Sequence, residues 1–257
     1  MKRILRSLYL IINYKTVIVT TLAVVSTYLC YTIGLIAKFP DMLVGVAIVF
    51  PVVFSIGSAY SRREMALQRW ADFRGHAIAI YYATRDWPSD KNNDLASRTR
   101  YVTTKMVAVV KETLNDKRGD WPRHEAEVFK LFSELSAISM EMRNYGVQSG
   151  EISRVSQYIS KMIIAFDNLK IIFIYRTPVT LRAYSKVFIY VFPIIYGPYF
   201  ASTFKEFSWQ LEYVMPVLYS FIFVSLDNIQ DHLENPFDQV GEDDIEIDVD
   251  DTTRLLD

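Results

Sequence analysis

The sequence contains few cysteines and histidines, two residue types from which catalytic and metal sites are often built. Its 257 residues include one cysteine, Cys30, and three widely spaced histidines, His76, His124 and His232. A single cysteine cannot form an internal disulfide, so the fold does not depend on an oxidising compartment. None of the histidines has a cysteine or an acid at the spacing of a zinc site. The phosphate loops and the nucleophile elbow of common enzyme families are also missing, and we predict that the protein is not an enzyme.

The sequence also lacks an excess of charge of either sign. It has 28 Lys and Arg against 29 Asp and Glu, a net charge of −1, which argues against a nucleic-acid partner. The charges are unevenly distributed, because four apolar runs contain no acid and no histidine. These runs are residues 16–37, 42–60, 187–203 and 213–226. Proton relays and coupled transporters normally need ionisable groups within their spans, so the runs favour a passive pore or a structural bundle.

The four apolar runs predict four membrane-spanning helices in two hairpins, since a span needs about 20 apolar residues. Only Lys38 and Lys205 fall in the loops on one side, and the other flanking Lys and Arg residues lie on the opposite side. This bias predicts an integral protein of the plasma (inner, if prokaryotic) membrane with both termini in the cytosol. The expected organisation is a membrane-surface helix (1–15), a first hairpin (16–60), a cytosolic helical region (61–184), a second hairpin (185–227) and an acidic tail (228–257).

The cytosolic region has the apolar periodicity of helices throughout. The helix that begins at residue 42 is expected to leave the membrane and to continue to the break at Trp87. Further helices are expected at about 95–114, at about 123–145 and after Ser149, which is the predicted N-cap of the last one. The fold class is therefore all-α, a four-span bundle continuous with a cytosolic helical bundle.

One transmembrane helix carries an aromatic stripe. Val46, Phe50 and Phe54 recur every four residues and therefore lie along one side of the helix. Pro51 lies within the stripe and favours a kink, because it removes a backbone donor. Several copies of this helix around an axis would form a narrow apolar throat for ions. A lipid-facing or core-facing aromatic stripe is the alternative.

The C-terminal tail is strongly acidic, with ten acids and one arginine from residue 234 to residue 257. Such tails are commonly solvated and disordered. Here, however, Ile245, Ile247 and Val249 alternate with the acids. This alternation predicts an extended segment with one side against protein.

Three motifs together resemble the bestrophin family of pentameric ion channels. They are FSIGSAYSRREMALQRW (residues 54–70), RTPVTLRAYSKV (176–187) and NIQDHLENPFDQVGEDDIEID (228–248). Their order and spacing are similar to those of the family over nearly the whole chain, although residues 75–150 show no residue match. The resemblance implies a homopentamer in the lipid bilayer with one central pore for small inorganic ions, chloride and similar anions being the expected ones.

The resemblance also implies positions for the constrictions and for a metal. The pore neck would be Val46, Phe50 and Phe54, and a second, cytosolic constriction is assigned to Ile152. Eukaryotic members bind calcium after a similar acidic motif, and realignment places candidate ligands at Asn235, Asp243 and Glu246. Three inserted residues, 238–240, depart from the family's pattern, and prokaryotic relatives generally lack the metal site. No cofactor is therefore assigned with certainty.

Two other functions are compatible with the sequence. The first is a cation-selective channel of the same architecture, since the predicted neck carries no charge. The second is a membrane-anchored scaffold or sensor that does not conduct. The oligomeric state in mild detergent discriminates the channel from the scaffold.

Overall fold

The computed structural model of the chain describes residues 12–38, 41–90, 92–116, 119, 121–175, 178–203, 209–239 and 244–256, without the side chains of 41–48, 203 and 209–212. All the regular structure in these ranges is helical. The helices are α1 (Tyr14–Ile33), α2 (Asp41–Asp86), α3 (Leu95–Leu114), α4 (Trp121–Glu141), a 3-10 turn (Met142–Tyr145), α5 (Ser149–Ile174), α6 (Val179–Ile195), α7 (Gly197–Thr203), α8 (Trp209–Glu234) and α9 (Val249–Leu255). The predicted all-α class is confirmed. Most of the predicted surface helix, 1–15, lies outside the described residues.

Helix α2 is one continuous helix of 46 residues. Pro51 lies inside it and does not end it. The helix ends at Asp86, before Trp87 and Pro88, as expected from the low helical preference of the residue before a proline. The prediction that this helix continues far beyond its apolar half is confirmed.

The chain divides into two compact units, which we describe separately. Unit 1 comprises residues 1–63, 176–235 and 240–243, and unit 2 comprises residues 64–175, 236–239 and 244–257. Helix α2 contributes its first half to unit 1 and its second half to unit 2.

Unit 2 is an amphipathic helical bundle around one apolar core. The core receives residues from the second half of α2 and from α3, α4 and α5. The apolar side of α5 is buried except at Ile163, which is only partly buried; its buried residues are Ile152, Val155, Ile159, Met162, Phe166 and Leu169. The predicted N-cap of α5 at Ser149 is wrong by one residue: Gln148 is the N-cap, and its side chain makes no capping hydrogen bond.

The middle of the predicted tail contributes to the core of unit 2. Phe237, Ile245 and Ile247 are buried among the core residues, and the Ile245 N–H donates to the Pro236 carbonyl at 2.7 Å. The predicted extended segment with one buried side is therefore confirmed up to Ile247. Beyond it, α9 was not predicted; Asp248 is its N-cap and accepts from the Asp250 N–H.

Unit 1 packs α1 against α6, α7 and α8 around a small apolar cluster that includes Val19, Ile189 and Val224. Among the described residues, two segments are long and apolar enough to cross a membrane: Tyr14–Ile33, with a mean hydropathy of 1.7, and Val179–Ser202, with 1.2. The second segment comprises α6 and α7. The run 187–203, predicted as one helix, is therefore the second part of a longer and interrupted segment.

The interruption between α6 and α7 has a defined packing. Pro198 has no N–H to offer the Ile194 carbonyl four residues earlier. The Ser26 hydroxyl of α1 donates to that carbonyl instead, at 2.7 Å. A Cβ on Gly197 would lie 2.5 Å from the Ser26 Oγ, so the close approach of α1 requires glycine at this position.

Candidate functional site

The part of α2 in unit 1 has one buried face and one exposed face. Val52 and Ser55 are 1% and 0% exposed, whereas Phe50 and Phe54 are each 60% exposed. Residues four apart lie about 40° apart around a helix, so the two phenylalanines share one side. The helix is thus anchored by Val52 and Ser55, and its aromatic side is left without cover from its own protomer.

The two phenylalanine rings contact each other. Their centroids are 4.9 Å apart and their planes are inclined by 60°, an edge-to-face arrangement. Such aromatic pairs contribute about 0.5–1.5 kcal/mol beyond their area burial. The pair is therefore a preorganised apolar surface on one turn of the helix. The third predicted neck residue, Val46, lies on α2, but its side chain is outside the described residues.

The exposed side of α2 changes character after Phe54. Gly57 and Ser61 follow at the next helical positions on that side, and both are exposed. A Cβ on Gly57 would meet nothing within 4 Å. The side therefore passes from bulky aromatic groups to small and polar ones within two turns, a feature that the sequence reasoning did not use.

Exposure by itself does not distinguish a pore surface from a lipid-facing surface. Large apolar side chains such as Val17 and Leu29 on α1 and Val187 on α6 are also exposed. A lipid-facing stripe needs to stay apolar along its length, whereas Gly57 and Ser61 continue the Phe50 and Phe54 side with small and polar groups. Ser61 lies just outside the predicted span 42–60, so within the span only Gly57 supports this distinction.

The structure places Ile152 elsewhere. Its side chain is 2% exposed and lies in the apolar core of unit 2. In the single protomer it packs inward, so a constriction at Ile152 stays a prediction about the assembled protein.

The residues assigned to calcium are only partly described. Asn235 is half-buried, Glu246 is exposed, and Asp243 lies outside the described residues. Within the described part of the chain, no group of three or more His, Cys, Asp or Glu residues could hold a metal ion. Because Asp243 is not among the described residues, calcium binding at these residues stays a prediction, and we derive no calcium-dependent step.

A polar network in unit 1 was missed by the sequence reasoning. The Asp227 side chain is 0% exposed and accepts a hydrogen bond from the Tyr190 hydroxyl. The nearest ammonium, Lys15 Nζ, is 4.0 Å from Asp227 but 3.3 Å from Asp231. Lys186 Nζ lies 3.1 Å from Asp231. The network joins α1, α6 and α8 through side chains that are far apart in sequence.

Two further pairs extend this network. Arg182 of α6 donates to Glu234 at 3.0 Å, with the Glu234 side chain only 3% exposed, and the Asn13 amide donates to Asn228 at 2.8 Å. The predicted tail begins at residue 228, whereas α8 continues to Glu234. Asp231 and Glu234 were therefore not treated as residues of a helix. The recurrence of acids at Asp227, Asp231 and Glu234 was the available signal, since this spacing places them on one side of a helix.

Comparison with known proteins identifies the fold. No protein-family model and no curated protein matches the sequence. A crystal structure of a singly substituted bacterial bestrophin homolog from Klebsiella pneumoniae is 16% identical, with a TM-score of 0.77, covering 95% of this chain and 96% of that chain. Another variant structure of a bestrophin homolog from that organism is 15% identical, with a TM-score of 0.79 and coverages of 94% and 95%. A third structure, described as a membrane protein, is 16% identical, with a TM-score of 0.75 and coverages of 95% and 96%. The chain therefore has a bestrophin-like fold over nearly its whole length.

Proposed function

We propose that this chain, which has the fold of the bacterial bestrophin homologues, forms a homo-oligomeric ion channel, expected to be a pentamer. The observation that carries the proposal is the exposed Phe50 and Phe54 pair on a helix whose opposite face is buried. A side that its own protomer leaves uncovered is available to line an axis shared with other copies.

The pore requires several copies of the chain, because one pair of phenylalanines cannot enclose a passage. In a closed ring, each copy of α2 contributes Phe50, Phe54 and the adjoining Gly57 and Ser61. The narrowest part is then aromatic and dry, and it opens toward small and polar groups. Such an apolar constriction passes ions when it is wetted and stops them when it dries.

Chloride and similar small anions are the proposed permeant ions. The neck provides no charge, and its ring edges carry the positive rim of the aromatic quadrupole, which favours anions weakly. A cation-selective channel of the same architecture is the alternative. The sign of the reversal potential in asymmetric KCl separates the two.

The proposed placement follows the charge bias of the sequence. Hairpins 16–60 and 185–227 cross the bilayer, residues 61–184 lie in the cytosol, and both termini are cytosolic. A cysteine introduced at Asn92 tests this placement in intact cells. It should resist an impermeant thiol reagent, and labelling from outside would contradict the topology.

The channel proposal is tested with the Phe50→Ala/Phe54→Ala double variant in planar bilayers. We expect the wild type to assemble as a pentamer and to conduct. The double variant should assemble equally and have a higher open probability, because its neck is wider and less dry. Val25→Ala/Leu29→Ala is the matched control, since these α1 residues are also exposed, apolar and four apart.

Two results would contradict the proposal. Unchanged currents from a correctly assembled double variant would show that the phenylalanines do not line the pore. A wild-type monomer or dimer without conductance would favour the membrane-anchored scaffold instead.

A further inference from the structure

A histidine lies at a helix contact within unit 2. His76, on the second half of α2, is half-buried, and its ring faces Tyr158 of α5 with centroids 6.1 Å apart and planes 17° from parallel. Lys161 follows Tyr158 three residues later on α5, so the two lie on the same side of that helix. The imidazole is therefore positioned where a proton would add charge inside a helix–helix contact.

The charges around His76 oppose a proton on it. Burial and the Lys161 ammonium lower the pKa of His76, and Asp72, one turn earlier on α2, raises it in part. Asp72 also forms an ion pair with Arg69, with the two groups 3.0 Å apart, and this pair weakens the attraction of Asp72 for a proton on His76. Arg74, two residues before His76, is paired with Asp251 of α9 at 2.8 Å.

We infer that His76, Tyr158 and Lys161 form a proton-responsive contact between α2 and α5 that loosens when the cytosolic side becomes acidic. In the packed state the imidazole is neutral and stacks on the tyrosine. A protonated imidazole in the same position would be a partly buried cation near the Lys161 ammonium, and both burial and charge repulsion make it unfavourable. A cation–π gain from Tyr158 opposes this cost only weakly, because the ring distance is at the limit for such contacts, about 6 Å.

The direction of the pH dependence follows from linkage. Because the packed state has the lower pKa, the separated state binds the proton more readily. The contact therefore has its full stability above the ordinary histidine pKa and loses stability as the pH falls below it. Acidification shifts the population toward the loosened contact.

The experiment is hydrogen–deuterium exchange of the full-length protein in detergent from pH 8 to pH 5, corrected for the intrinsic pH dependence of exchange. In the wild type, we expect amides of α5 around Tyr158 to lose protection as the pH falls. In His76→Gln the acid-induced loss should disappear. His124→Gln is the matched control, because His124 is also half-buried in unit 2 but lies on α4 beside the Glu112 carboxylate, at 3.9 Å. It should retain the wild-type transition.

Two charge variants distinguish titration of His76 from a merely structural role. Lys161→Gln removes the repelling ammonium, so the midpoint of the transition should move to higher pH. Asp72→Asn removes the attracting carboxylate, so the midpoint should move to lower pH. Lys161 and Asp72 are exposed, and neither substitution should prevent folding. Three results would overturn the inference. They are an unchanged transition in His76→Gln, the absence of a transition in the wild type, and a midpoint that is the same in the wild type and in both charge variants.

A second readout connects the contact to conduction and rests on the proposed function. Since α2 also carries Phe50 and Phe54, acidification should change the open probability in the wild type and not in His76→Gln. If exchange follows the expected pattern while no protein conducts, the contact stands and the channel proposal fails. If currents flow while exchange is independent of pH, the contact fails and the channel proposal stands.

Discussion

The two units of this chain distribute polar and apolar side chains in opposite ways. Unit 2 buries large apolar residues, such as Phe73, Phe166 and Leu131, and its buried polar residues are uncharged serines and threonines. Unit 1 leaves many large apolar residues exposed and contains both of the buried charged residues in the described part of the chain, Asp227 and Glu234. This difference agrees with the proposal that unit 1 lies in the bilayer and unit 2 lies in water.

Under this proposal, different forces hold the two units together. In water, burial of apolar surface stabilises a helix bundle by about 25 cal/mol per Å². In lipid that driving force between helices is absent, and close packing and polar contacts replace it. The Ser26–Gly197 approach and the Arg182–Glu234 pair are contacts of this second kind. Substitutions should therefore have different effects in the two units.

The largest effect is expected for Phe166→Ala in unit 2. Phe166 is fully buried and its ring lies 6.0 Å from that of Phe129 and 6.3 Å from that of Phe132. Truncation of a buried phenylalanine costs about 3–5 kcal/mol, because it leaves a cavity. Chemical unfolding of the detergent-solubilised protein measures this loss. Phe54→Ala, the same truncation at an exposed site in unit 1, should cost at most about 1.5 kcal/mol, the contribution of its ring pair with Phe50, and equal losses would contradict the comparison.

A smaller but still large effect is expected for Arg182→Met in unit 1. The substitution leaves the Glu234 carboxylate buried without its guanidinium partner. Breaking one side of a fully buried ion pair costs about 3–5 kcal/mol, and the 26% exposure of the Arg182 side chain places this loss at or below the lower end of that range. Thermal unfolding in detergent should show the loss, and Arg182→Met/Glu234→Leu should recover most of it. Arg154→Met, which breaks the exposed Arg154–Glu151 pair, is the control and should unfold like the wild type.

The smallest of these effects is expected for Gly197→Ala. The new methyl group would overlap the Ser26 Oγ and separate α1 from the start of α7. Overpacking of this kind costs about 1–3 kcal/mol. In a thermal-stability cycle, Ser26→Ala should offset part of the cost, since it removes the closest atom. Strict additivity of the two substitutions would show that the residues do not meet.

Local sequence patterns predicted the local structure well. The apolar period predicted α3 at 95–114, where the structure has Leu95–Leu114, and it predicted α4 and α5 to within a few residues. The break at Trp87 and the aromatic side of α2 were also readable, because both depend only on neighbouring residues. The cap at Gln148 was missed, since its side chain makes no capping hydrogen bond.

The rest depends on which distant segments meet, and a single sequence does not specify that. The pairing of Lys15 and Lys186 with Asp231 joins residues separated by up to 216 positions. The exposure of Phe50 and Phe54 likewise depends on which neighbours cover α2. The stripe alone therefore did not predict whether these side chains are exposed or buried. Helix α9 was missed because the alternation of Ile245, Ile247 and Val249 was interpreted as one extended segment, whereas Val249 is the first residue of the helix.

The central claim is that the Phe50 and Phe54 side of α2 faces an aqueous pore and not lipid. Cysteine accessibility tests it most directly, because Cys30 is the only native cysteine and Cys30→Ala provides a background without thiols. In planar bilayers, Phe54→Cys on this background should react with a charged, water-soluble thiol reagent and change its current in steps. Leu29→Cys, at an exposed position of α1, should not respond. A Phe54→Cys channel that conducts normally, and whose current does not change when the reagent is applied to the open channel, would contradict the account.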